Sequence, residues 1–100
     1  MSTFRSEARV ATPRSARYLG QLCKHFAHKI PASYSGAQGR IEFPAGLCEL
    51  EASGDLLVLR AAAADEPSLS QVEEVVARHL ERFAFRDKPE IRWTRGDADQ

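Results

Sequence analysis

Two cysteines in 100 residues, Cys23 and Cys48, are too few and too far apart to form a disulfide framework. A reducing compartment would keep them as thiols, and as small buried hydrophobes they need no further role. The chain also lacks net charge. Fourteen Lys and Arg balance fourteen Asp and Glu, so no long-range positive field gathers nucleic acid or anionic membrane, and a general nucleic-acid binder is disfavoured. No apolar run approaches the length of a membrane span, and the opening MSTFRSEARVATPRSAR carries charge throughout with none of the apolar centre of a signal peptide. A cytoplasmic location with no membrane partner is the expectation. There is no G-x-S-x-G elbow, phosphate loop, paired zinc-type cysteines or dinucleotide fingerprint, and no internal repeat. Catalysis is left without an evident engine.

What is present is ordinary globular material, 43% hydrophobic and 28% charged. A chain of this length is one domain, residues 1–100, able to remove roughly 60 to 65% of its unfolded surface from water. Phe4, Ser6, Ala8 and Val10 alternate with Arg5, Glu7 and Arg9, the period of a half-buried strand. Thr12 and Pro13 then offer an N-cap and a first helical residue, and a helix is expected to about Lys29, stopped by Pro31. Its core stripe is Leu19, Leu22, Cys23, Phe26 and Ile30.

The polar stretch SYSGAQG reads as a loop. Beyond it, RIEFP, CELEA and the segment from Leu56 to about Ala62 alternate as three strands in a meander, the last two joined by a hairpin turn at Ser53–Asp55. A capping box from Ser68 and Gln71, or from Ser70 and Glu73, starts a second helix near Leu69 that runs to about Phe83, with Leu69, Val72, Val76, Leu80 and Phe83 as its stripe. Glu90–Arg95 closes the chain as a short strand, and the tail from about residue 96 frays. The order β-α-β-β-β-α-β, with two amphipathic helices and one oily sheet face, gives an α+β two-layer sandwich: an antiparallel sheet with both helices on one face.

The strongest chemical signal is LCKHFAHK, Leu22 to Lys29. At about 100° per residue, His28 lies about 180° and His25 about 120° from the core stripe, on a flank shared with Tyr18, Gln21 and Lys29. That flank is either a solvated helix face or a surface able to donate, accept and coordinate. His79 falls about 60° from the centre of the second stripe, beside Val75 and Arg82, where a half-buried, hydrogen-bonded histidine belongs. If the helices lie side by side it can approach His25, making His25, His28 and His79 a candidate site for iron, zinc or haem. Arg82 and Arg86, four apart, can clamp a carboxylate or phosphate if the helix continues, or serve as C-terminal cations paired with Glu81 or Glu74.

In LCKHFAHKIP, GRIEFP, VVARHLERFAF and IRWTR the chain resembles the short bacterial family known as domain of unknown function 2218, over roughly residues 4 to 95. The resemblance implies small stand-alone proteins, some encoded near siderophore-interacting flavoproteins and other iron-uptake genes, with no established activity. Its two most recognisable phrases fall on Cys23, Lys24, His25, Phe26, His28 and Lys29 and on Arg78, His79, Arg82, Phe83, Phe85 and Arg86. The stretch ASYSGAQGR departs from the acidic loop of the family pattern. These readings make the chain a small non-enzymatic accessory protein, monomer or homodimer. Its candidate ligand-binding residues are Tyr18, His25, His28, Lys29, His79, Arg82 and Arg86, and its ligand is a small molecule, an iron-related species or a protein partner. Metal or haem binding and a His-centred enzyme are the alternatives.

Overall fold

Strand-forming alternation and helical stripes take their places in a computed structural model that describes residues 3–97. Among the described residues there are six strands and two helices: β1 (Phe4–Ala11), α1 (Ser15–Ala27), β2 (Ala32–Ser35), β3 (Gln38–Glu42), β4 (Gly46–Ser53), β5 (Leu56–Ala63), α2 (Glu66–Phe83) and β6 (Trp93–Asp97). The strands form one antiparallel sheet in the order β2-β3-β4-β5-β1-β6. Strands β2 to β5 are a meander, while β1 lies between β5 and β6. The α+β architecture and the succession of elements are those expected, with one strand more.

That extra strand is β2, inside the stretch read as a loop. Its Ser33, Tyr34 and Ser35 are all exposed, so it carries no alternation that a sequence could show. Only Gly36 and Ala37 form the turn, and Gly36 takes the left-handed conformation, φ 60°, that glycine adopts at little cost. At the other end, Gly96 and Asp97 belong to β6 and pair with Arg5 and Phe4 rather than fraying, while the rest of the expected frayed tail, residues 98–100, lies outside the described residues.

One face of the sheet and the apolar stripes of both helices share a single core. Val10, Ile41, Leu50, Leu57 and Leu59 from the strands meet Leu19, Leu22, Cys23 and Phe26 of α1 and Leu69, Val72, Val76 and Leu80 of α2. Helix α1 lies over β2 to β5, and α2 over β1, β4 and β5. The opposite face is wet. It carries the ion pairs Arg9–Glu7, Arg60–Glu7, Arg60–Glu51, Arg40–Glu42 and Arg40–Glu49. Neither helix is long and apolar enough to cross a membrane.

Both helix starts differ from expectation. Thr12 is not the N-cap of α1: its hydroxyl accepts the N–H of Arg14 at 3.1 Å in a local turn, and the helix begins at Ser15, whose hydroxyl donates to the carbonyl of Gly54 at 2.6 Å. The second helix begins three residues ahead of Leu69. Asp65 is its cap, accepting the N–H of Ser68 at 2.8 Å, with Pro67 in the first turn.

Candidate functional site

Helix α2 ends at Phe83, so the Arg82–Arg86 clamp on a continuing helix does not form. The chain turns instead. The N–H groups of Asp87 and Lys88 both donate to the carbonyl of Ala84 at 3.0 Å, and Lys88 adopts φ 46°, a left-handed conformation unusual for a side-chain-bearing residue. This turn brings the Asp87 carboxylate against the start of α1. There the Tyr18 hydroxyl donates to Asp87 Oδ2 at 2.6 Å, Arg14 donates to Oδ1 at 2.8 Å, and the Thr12 hydroxyl stands 3.4 Å from Oδ2. The Tyr18 hydrogen bond, aided by the Arg14 charge and opposed by partial burial, holds the Asp87 carboxyl below the usual carboxylate range. The same bond, with burial and the carboxylate charge, pushes the Tyr18 phenol up, so it serves as a donor and not as a base.

Around this anchor opens a cleft of about 310 Å³ lined by Arg14, Arg17, Tyr18, Gln21, Phe83, Phe85, Arg86 and Asp87. Arg14, Arg17, Tyr18 and Gln21 follow i, i+3, i+4, i+7 along α1 and therefore share one face. The Arg86 guanidinium lies 5.6 Å from the centre of the exposed Phe85 ring. Three guanidiniums thus line a cleft that holds one carboxylate. Arg14 is committed to Asp87. Among the described residues, neither Arg17 nor Arg86 has a carboxylate partner.

The residues singled out from sequence divide into two groups. Tyr18 and Arg86 meet in the cleft. His25 and His79 meet elsewhere, at the contact between the two helices, with ring centres 4.9 Å apart. Arg82, His28 and Lys29 are exposed and line neither the cleft nor the ring cluster; burial first, and then nearby cations including Lys29 and Arg82, hold His25 below the usual histidine range. The three histidines do not assemble into one site, since among the described residues no group of three or more His, Cys, Asp or Glu side chains is placed to hold a metal. His28 sits at the C-cap of α1, past the contact with α2. Sequence reasoning missed Arg14, Arg17 and Asp87. The first two carried a signal in their helical spacing with Tyr18 and Gln21. Asp87, 69 residues from Tyr18, carried none.

Neither cysteine offers a nucleophile. Burial pushes the Cys23 thiol up, and full burial carries that of Cys48 to about 12.

Comparison with known proteins agrees with the fold. A solved structure of PA4090 from Pseudomonas aeruginosa, determined by NMR, is 40% identical to this chain, covers 91% of it and 95% of its own length, and superposes with a TM-score of 0.78. No curated protein matches. The family described as "Uncharacterized protein conserved in bacteria (DUF2218)" matches residues 7–94. Nearly the whole chain is covered by both likenesses, and the chain belongs to that uncharacterised bacterial family.

Proposed function

We propose that this protein is a small, non-enzymatic cytoplasmic binding protein that takes a small organic anion in the cleft between the start of α1 and the end of α2. The observation that carries this reading is the pair of guanidiniums, Arg17 and Arg86, that line the cleft and have no carboxylate partner among the described residues. A guanidinium presents paired N–H donors that match a carboxylate or phosphate, and such charge-assisted bonds are about twice as strong as neutral ones. Arg14 and Tyr18 are held in place by Asp87, so the charged wall is organised before a ligand arrives. Phe83 and Phe85 add an apolar side that suits the carbon skeleton of an organic acid better than a bare ion.

Both oxygens of the Asp87 carboxylate in the cleft are engaged by Arg14 and Tyr18, which suits an anchoring role, and two buried thiols suit a reducing compartment. The link to iron that the family resemblance implies takes a specific form here: a ferric carboxylate chelate is itself anionic and presents the groups that Arg17 and Arg86 would hold. Calorimetric titration with citrate, inorganic phosphate and ferric citrate tests the reading. Binding of citrate tighter than about 1 mM, worth about 4 kcal/mol, weakened by added salt and weakened again in Arg17→Gln and Arg86→Gln, is the expected result. Citrate and phosphate both failing to bind removes the anion reading. Ferric citrate binding no tighter than citrate removes the iron link and leaves the cleft.

A further inference from the structure

Helices α1 and α2 run side by side on the sheet, and where they touch, His25 and His79 face each other with ring planes tilted by 46°. His79 is half-buried, and its Nδ1 lies 2.7 Å from the carbonyl oxygen of Val75. A carbonyl oxygen can only accept, so Nδ1 carries a proton, and in the neutral ring the lone pair is then on Nε2. This is the outer hydrogen bond by which metal-bound histidines are fixed in tautomer and orientation. Phe26 and Phe83 also pack against His25, with ring centres 5.1 and 5.6 Å away.

The spacing of the rings is informative. Two imidazoles bound to one tetrahedral zinc at about 2.0–2.1 Å place their ring centres roughly 5 Å apart. The separation here is 4.9 Å. We propose that His25 and His79 form a two-histidine site for a tetrahedral divalent transition metal of the zinc type, with its remaining positions open to water or an incoming ligand. No third His, Cys, Asp or Glu completes it among the described residues, and Lys29 and Arg82 stand nearby as cations. The site is therefore an open, exchangeable one and not a closed structural one.

Zinc chloride alone is the probe. In the intact protein labelled with nitrogen-15, the expected result is a shift of the His79 Nε2 and His25 ring resonances on titration, with His79 Nδ1 still protonated, and one zinc per chain by calorimetry. His25→Gln and His79→Gln should each weaken binding by at least about tenfold, the scale on which even outer partners of a metal histidine act. His28→Gln and Arg17→Gln should leave it unchanged. Shifts confined to His28, no shift of either ring, or a His25→Gln variant that binds zinc as the native chain does would each overturn the assignment. The resonances of the native protein decide the matter even if His79→Gln does not fold, and none of these outcomes depends on the anion cleft.

Discussion

His79 and His28 are the same residue type in opposite circumstances. His79 is wedged between Phe26 and Phe83, with ring centres at 4.8 and 6.5 Å, and bonds to the carbonyl of Val75, whereas His28 stands exposed at the end of α1. Truncating His79 to alanine opens a void beside two aromatic rings and removes that bond, which should lower stability by about 1 to 3 kcal/mol. His28→Ala removes nothing the core uses and should cost less than about 0.5 kcal/mol. Denaturant midpoints of the two metal-free variants, compared with the native chain, are the check. Equal midpoints would mean that the ring cluster at the helix contact contributes nothing to folding. The same contrast explains why sequence alone could grade these residues: angular offset from an apolar stripe predicts burial, and burial predicts cost.

At the scale of elements, the approach of α1 to the sheet depends on one glycine. A Cβ added at Gly39 on β3 would stand 2.7 Å from Cys23 Sγ and 3.3 Å from Leu19 Cδ2, both on the buried stripe of α1. Gly39→Ala should therefore push the helix off its seat and cost about 1 to 3 kcal/mol by overpacking. Gly36→Ala, with open space around it, should cost only its left-handed φ. Thermal melts of the two variants test this, and a Gly39→Ala protein melting with the native one would show that α1 has slack at this point. The role of Gly39 was invisible beforehand because ASYSGAQGR looks like loop chemistry. Both strands lie under α1, but Ser33, Tyr34 and Ser35 of β2 are all exposed, and on β3 the position before Ile41 on the inward face is a glycine, so the stretch shows no apolar alternation. Where a stripe faces the core, as on α2 or β5, the period was legible; where the decisive contact is a missing side chain or a cap such as Asp65, the residue reads as punctuation. The cleft was half legible for a related reason. Helical spacing can gather Arg14, Arg17, Tyr18 and Gln21 onto one face, but only the sheet topology brings Asp87 to them.

For the molecule as a whole, balanced charge leaves little to be gained or lost from a net field. Its response to acid is then set by particular carboxylates. Asp87 is held low by Tyr18 and Arg14, Glu7 by Arg9 and Arg60, and Asp65 by the hydroxyl and then the N–H of Ser68. In each case the folded pKa lies below the unfolded value of about 4, so the unfolded chain binds more protons in that interval and stability rises with pH across it. The contribution is fully present above the unfolded pKa and is lost as pH falls through the folded one. Stability should thus be nearly flat in these groups from pH 7 to about 5 and decline below about 4. Asp87 differs from the other two because it ties the turn after α2 to the start of α1, and Asp87→Asn keeps the shape while removing the charge. The gap in denaturant midpoint between the native protein and Asp87→Asn should be widest near neutrality and shrink in acid, as the native carboxyl takes up its own proton. Tyr18→Phe, which removes the leading cause of the depressed pKa, should narrow in the same direction. A gap that stays constant from pH 7 to 3 would mean that Asp87 holds the two helix ends together by shape alone, with its charge contributing nothing.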